Sequence, residues 1–429
     1  MVQKKALYLF EIKLFELQIK LLMISQDRIA ITNLIKVCWA YLKPMADIEK
    51  KDPIRLGMVG GGQGSFIGEV HRIAACIDNK YLFCAGALSS EPERSLISGS
   101  ELGLEKDRSY KNYEAMIKGE SSRDDRIEVV TIVTPNNTHF PIAKRFLEEG
   151  FHVICDKPMT VSTHEADELA KLANKHNLIL AVTYNYSGHP MVRRARSMIE
   201  DGEIGEIRVI QCEYAQDWLA EPIEKEGHKQ ALWRTDPLQS GLGGCVGDIG
   251  THAFHLACFV SGLKPEALCA DISRFGDGRK LDDNANVLLR FKGNARGMLW
   301  ASQVAIGNDN NLKLRIFGKQ GGLSWRQEEP NELILSPLNQ PSRRITRDSS
   351  SVVNEASLLT SVPAGHPEGY LEGFTTIYNE IANSILAARN GETEDQNISF
   401  PTAKDGKAGV KFIEAVVRSS NEGSVWINL

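Results

Sequence analysis

Short apolar runs alternate with amphipathic stretches through the first half of the chain. Residues 54–59, 81–88, 127–133, 151–155 and 178–183 each read as a buried strand, four to eight residues long and rich in Val, Ile and Phe. Between them, 70–77, 91–103, 113–118 and 138–149 read as helices. Apolar strands alternating with helices predict an α/β fold with a doubly wound parallel sheet, which takes its ligands at the carboxyl ends of the strands. The pattern changes near residue 186. A helix over 190–200 leads into a strand over 207–214. A helix over 249–262 then precedes successive strands at 267–274, 285–291, 295–303 and 312–317. This run predicts a second α/β domain with a mostly antiparallel, open sheet and helices on one face. Residues 370–389 and 402–419 read as late helices.

Residues 1–52 stand apart. Leu7, Phe10, Leu14, Leu17 and Leu21 recur at helical spacing, while Glu11, Lys13, Glu16 and Lys20 interrupt any continuous apolar stretch. A signal peptide or a membrane span therefore fits poorly. Met45 opens a short polar leader before the first strand, so the extension reads as peripheral, with Met45 as a candidate natural start.

A chain of 429 residues has room for two substantial domains. Its formal net charge of -5 argues against nucleic acid as the main partner. The eight cysteines form no C-x-x-C pair and no regular framework, which suits free thiols in a reducing cytoplasm.

The first strand ends in Gly60-Gly61-Gly62, and a helix follows. Glycines let the backbone approach a pyrophosphate, which the free N–H groups of a helix N-terminus stabilise. The loop Gly60-x-Gly62-Gln63-Gly64-Ser65-Phe66 looks lengthened, and its third small residue is either Ser65 or Gly68. At the end of the second strand, an NAD site usually has an acidic residue to accept from the ribose 2′-hydroxyl. This chain has Ser89-Ser90, with Arg94 one helical turn on. That pair suits a 2′-phosphate and favours NADP over NAD, although Glu91 blurs the contrast.

Two polar clusters carry the candidate chemistry. Asp156-Lys157-Pro158 follows the fourth strand, and Gly247-Asp248-x-x-x-His252 opens a predicted helix with Asp248 and His252 on one face. Lysine, aspartate and histidine together suit holding a hydroxyl and moving its proton. The plainer reading of the second cluster is an N-cap aspartate and a packed histidine. Thr134-Pro135-Asn136-x-x-His139 lies at the end of the third strand, where Asn136 and His139 either contact the cofactor ribose or cap the loop. Asn185, His189, Trp233 and Arg234 are candidates for a sugar pocket, core packing being the alternative for Trp233. Tyr370 is a candidate to close the site. Asp248, His252 and His255 share a helical stripe with metal-ligand spacing, yet no further ligand stands near in the sequence and no metal is expected.

Taken in order, the turn at 60–62, Thr134-Pro135-Asn136-x-x-His139, Asp156-Lys157-Pro158, Trp233-Arg234 and Gly247-Asp248-x-x-x-His252 resemble the Gfo/Idh/MocA oxidoreductases. These are glucose–fructose oxidoreductase, inositol dehydrogenase and their relatives. The resemblance covers roughly 54–429. It implies a Rossmann domain over 53–185 and a substrate-binding and oligomerisation domain over 186–429, assembled as a homodimer or homotetramer. It also implies hydride transfer between a sugar or cyclitol hydroxyl and a nicotinamide cofactor. Within that pattern, Lys157 donates to the reacting oxygen, His252 takes its proton, and Asp248 orients the substrate and supports the imidazolium. Gly60, Gly62, Gln63, Gly64, Ser65, Phe66, Ser89, Ser90, Arg94, Thr134, Pro135, Asn136, His139, Asp156, Lys157 and Pro158 line the cofactor. Lys157, Asn185, Trp233, Arg234, Asp248 and His252 meet the substrate. The chain departs from the family's usual Glu-Lys-Pro at Asp156, in its lengthened glycine loop, and at 221–228. Two other functions fit the same fold: recycling of a tightly bound cofactor in epimerisation or glycoside cleavage, and dinucleotide or sugar sensing without turnover.

Overall fold

Five apolar runs pair in parallel. They are β1 (Ile54–Gly60), β2 (Tyr81–Ala87), β3 (Val129–Val133), β4 (His152–Cys155) and β5 (Leu180–Val182), in the order β2-β1-β3-β4-β5. The structure is a computed structural model that describes residues 52–347, 360–363, 365–392 and 399–429. The amphipathic pattern at 7–21, Met45 and Cys38 lie outside the described residues. The connecting helices are α1 (Phe66–Ile77), α2 (Pro92–Glu101), α3 (Tyr113–Ser121), α4 (His139–Glu148) and α5 (Thr163–His176). Helix α5 lies outside the helices read from the sequence, although Ala166, Leu169 and Ala173 form a buried stripe at helical spacing and the Ser162 side chain caps it by accepting from the N–H of Glu165. The chain leaves β1 for β2 on one side and returns as β3 on the other. Gly60 therefore pairs with Val133 at the point where the sheet order reverses.

The second sheet has nine strands: β6 (Ile207–Ala215), β7 (Pro265–Ser273), β8 (Asn284–Phe291), β9 (Arg296–Ser302), β10 (Asn311–Gly318), β11 (Gly321–Arg326), β12 (Glu332–Pro337), β13 (Arg343–Thr346) and β14 (Ile427–Asn428). Their order is β13-β12-β11-β10-β6-β9-β8-β7-β14, antiparallel throughout except for the parallel β6–β9 pair. Strand β8 shows why one face stays open. Ala285, Val287, Leu289 and Phe291 are buried, while Asn286, Leu288 and Arg290 are exposed. Helices α6 (Pro190–Glu200), α7 (Lys229–Arg234), α8 (Pro237–Ser240), α9 (Thr251–Ser261), α10 (Tyr370–Asn390) and α11 (Ala403–Asn421) complete the second half. On the inner face, Phe254 of α9 stacks on Phe412 of α11 with ring centroids 4.2 Å apart.

Helix α10 does not stay with the second sheet. Its Phe374, Ile377, Tyr378, Ile381 and Ile385 join Ile54, Leu56, Val70, Tyr81 and Val129 in one core. A polar thread lies inside that core: the Tyr378 hydroxyl is 2.8 Å from His71 Nδ1 and 2.9 Å from Thr131 Oγ1. Burial lowers the pKa of His71 to about 4, with Asp156 opposing the shift. His189 and His255, buried in the second half, are also lowered to about 4 by burial.

Candidate active site

The end of β1 turns through Gly60 and Gly61 at φ of +82° and +78°. Helix α1 then begins at Phe66, one turn before the apolar spacing starts, because Ser65 caps it: its Oγ accepts from the Gly68 N–H at 3.2 Å. A Cβ on Gly68 would stand 2.3 Å from the Gly61 Cα, so Ser65 is the cap and Gly68 makes the close helix–strand approach. A side chain on Gly62 would meet the Leu88 carbonyl and Ser98 Oγ, each at 2.6 Å. A turn cleared of side chains and leading into a capped helix N-terminus fits the pyrophosphate of a dinucleotide. Arg94 Nη2 donates to the Gln63 carbonyl at 2.8 Å, placing a guanidinium against the loop near Ser89 and Ser90. Ser89 Oγ accepts from the Glu91 N–H at 3.1 Å. Phe66 is exposed and stacks on Tyr370, centroids 6.2 Å apart, so the two close one wall beside the loop.

Beyond β3, the polar residues mainly build the frame. His139 is buried with Nδ1 2.9 Å from the Pro158 carbonyl and Nε2 2.8 Å from that of Thr134. Its ring is thus committed to backbone, against the expected ribose contact. The Asn136 amide donates to the Ser240 carbonyl at 3.0 Å, tying the β3 turn to α8. Both residues thus fasten the loop, His139 through its ring and Asn136 through one amide N–H. Thr138 Oγ1 donates to the Pro135 carbonyl at 2.7 Å and completes that turn. Asp156 Oδ1 accepts from the Lys157 N–H at 2.8 Å and from Thr183 Oγ1 at 2.9 Å, which sets the direction of the turn after β4. The Lys157–Pro158 peptide is cis.

The two predicted clusters meet. Lys157 Nζ donates to the Asp248 carbonyl at 2.7 Å and to Asp248 Oδ1 at 2.9 Å. Asp248 Oδ2 accepts from Arg234 Nε at 3.2 Å and from Gln303 Nε2 at 2.8 Å. Burial alone would raise the pKa of this carboxyl, but the Lys157 and Arg234 cations hold it well below the usual range. Asp248 is not an N-cap. It sits in a π-helical turn, Val246–Gly250, that runs into α9. The Asp248 oxygens bond Lys157, Arg234 and Gln303, so Asp248 favours a charged His252 through its charge and not through a hydrogen bond. His252 itself packs among aromatic rings, with centroids 5.0 Å from Tyr186 and 5.7 Å from Tyr184. Burial, reinforced by the Lys157 ammonium, lowers the His252 pKa well below its ordinary value, so the ring is neutral at neutral pH. Its Nδ1 is sealed without a partner.

The candidate pocket residues divide. Arg234 lies 4.2 Å over the Trp233 ring, and Trp233 Nε1 donates to Gln230 at 3.2 Å, so both are tied into the hub through α7. Arg279 anchors the approach to α7, bonding Glu224 Oε1 at 2.9 Å and the Glu221 carbonyl at 3.1 Å. Asn185 is buried beside Tyr184 and Tyr186, with Nδ2 unpaired. His189 is packing: it stacks under Tyr186 and meets Trp325 edge-on. Tyr370 is felt by Tyr186, Asp156 and Asp248, which, after burial, raise its pKa. Gln303 was missed by sequence reasoning, since nothing local marks a glutamine one residue past β9. His255 stacks face to face on Tyr184 at 4.3 Å, away from ligand geometry. Among the described residues, no group of three or more His, Cys, Asp or Glu is placed to hold a metal. No described helix is long and apolar enough to cross a membrane.

Comparison with known proteins places the fold in a family. Residues 54–184 match the oxidoreductase family model with an NAD-binding Rossmann fold, and 192–324 match the GFO/IDH/MocA C-terminal domain. An uncharacterized oxidoreductase of Bacillus subtilis, YfiI, is 36% identical over 87% of this chain and 96% of its own length. The levoglucosan dehydrogenase of Pseudarthrobacter phenanthrenivorans is 30% identical over 68% of this chain and 78% of its own. The crystal structure of an inositol dehydrogenase homolog from Azotobacter vinelandii, complexed with NAD+, superposes with a TM-score of 0.86. It is 35% identical over 88% of this chain and 98% of that one. A second crystal structure of an inositol dehydrogenase homolog from that organism holds NADH and myo-inositol. The chain therefore belongs to the Gfo/Idh/MocA oxidoreductase family.

Proposed function

We propose that this oxidoreductase oxidises a hydroxyl of a sugar or cyclitol, with NADP favoured over NAD. The glycine loop would hold the pyrophosphate of a nicotinamide dinucleotide, which when bound supplies the hydride acceptor. Lys157 has spent two of its three N–H donors on Asp248, and the third serves the reacting oxygen. Neutral His252 takes the hydroxyl proton at Nε2 as the carbonyl forms. Arg234 binds a neighbouring hydroxyl, while the Trp233 face covers the ring. Asp248 carries no proton; it aims Lys157 and Arg234. The observation that carries this reading is the bond between Lys157 and Asp248, which lie 91 residues apart.

In this reading 53–185 hold the cofactor and 186–429 shape the substrate site, with α10 lent back to the first sheet. The open face of the nine-stranded sheet, where Leu288 and Met298 are half exposed, serves a homodimer or homotetramer in the cytoplasm. A spectrophotometric screen of monosaccharides, anhydrosugars, sugar acids and inositols with NAD and NADP tests the reaction. Lys157→Met and His252→Ala should each abolish turnover while leaving cofactor affinity within a few fold. Near-normal turnover in either variant removes that residue from the mechanism.

A further inference from the structure

One buried carboxylate lies just behind the hub and takes no part in the chemistry above. Asp282 is 3% exposed and forms no ion pair among the described residues. Its Oδ1 accepts from the Gly244 N–H at 2.7 Å and its Oδ2 from the Val246 N–H at 2.8 Å. Its own carbonyl accepts from the Cys245 N–H at 2.8 Å. These are the first amides of the helical segment that continues through the π turn into α9, so Asp282 caps it from another part of the chain. The next residue extends the clamp: the Asp283 carbonyl accepts from the Gln303 N–H at 2.9 Å, and the Gln303 side chain holds Asp248.

An unpaired buried carboxylate is expensive to desolvate, and an apolar residue would fill the space at lower cost. What the carboxylate adds is direction. It fastens three successive residues, and the next two are Gly247 and Asp248. The Asp248 carbonyl and carboxylate then meet Lys157 at fixed points. We propose that Asp282, with Gln303 as its second arm, is a positioning residue that orients Asp248 and through it the Lys157 ammonium. The inference rests on the proposed role of Lys157.

The test uses Asp282→Asn, which keeps the shape but turns an N–H toward the backbone amides, and Gln303→Met, which removes one donor to Asp248. The first readout is steady-state turnover with the best substrate of the screen. The second is acetic anhydride labelling of Lys157 in the cofactor-free protein, followed by mass spectrometry. The expected result for each variant is a kcat at least tenfold lower, with KM and cofactor Kd within about threefold, and Lys157 labelled at least threefold faster. Effects of the two changes in one chain should fall short of the product of the separate effects, because both act through Asp248. If Asp282→Asn does not fold, Gln303→Met carries the test alone. A kcat within twofold of the parent, or unchanged Lys157 labelling, overturns the proposal. Lys157→Met separates the two layers. If it retains turnover, the reading of the site fails; if it is inactive while Asp282→Asn is normal, only the positioning role fails.

Discussion

Acid should unfold this protein through its buried histidines before its carboxylates titrate. His71, His189 and His255 have native pKa values of about 4, lowered by burial, against an unfolded value near 6.5. A native pKa below the unfolded one means that the neutral ring is favoured by folding. The stabilisation is complete above pH 6.5 and is lost as the pH falls from 6.5 toward 4. Between pH 7.5 and 5 each histidine then contributes a loss of about 2 kcal/mol, and the three together about 6 kcal/mol. That approaches the whole stability of many domains, about 5–15 kcal/mol. Asp248, whose pKa is held low, adds nothing in this window because its stabilisation is lost only in stronger acid. Equilibrium urea unfolding at pH 7.5, 6.5, 5.5 and 5.0 measures the effect. Near pH 5.5 these three should give an uptake of between two and three protons on unfolding, or roughly 3–4 kcal/mol per pH unit, and His252, also lowered by burial, adds to it. His71→Gln, which retains a donor for the Tyr378 hydroxyl but cannot titrate, should remove about one proton from that slope. A slope of less than one proton at pH 5.5 would refute the reasoning.

Three further outcomes are expected. Asp248→Asn leaves Lys157 and Arg234 facing each other without their shared anion, so kcat should fall by about 100-fold or more and stability by about 3 kcal/mol; activity and urea melts read both, and a parent-like variant contradicts the hub. Because the His252 pKa is lowered, the acid limb of kcat/KM for alcohol oxidation should lie below pH 6.5, and a limb at or above 6.5 would exclude a buried neutral base. Arg94→Ala should weaken NADPH binding about tenfold or more relative to NADH, as measured by cofactor fluorescence titration. An unchanged ratio would show that Arg94 does not read the 2′-position.

The strands and helices of the first domain were legible because their signals are local. An apolar run of 54–59 has to be buried on both faces, and a Gly-Gly-Gly turn before a helix admits few conformations. Helix α5 escaped because its buried stripe, Ala166, Leu169 and Ala173, is mostly alanine and stands out little from its surroundings. Strands β11 to β14 escaped too: β14 has two residues and β13 four, too short to show a period. Asp156, Lys157, Asp248 and His252 could be singled out because each stands at an element boundary where the chain changes direction.

What those residues do to one another is a matter of partners supplied from far along the chain. No local pattern says that Asp248 spends its hydrogen bonds on Lys157, Arg234 and Gln303 and reaches His252 by charge alone, or that His139 faces two carbonyls. Burial makes the same distinction. Residue type names a titratable group, but its pKa depends on the water removed and the charges packed around it. Composition, period and capping therefore wrote the α/β architecture and the family pattern into the sequence. The direction of each donor, the neutrality of His252 and the clamp of Asp282 came from packing two sheets and a returning helix together.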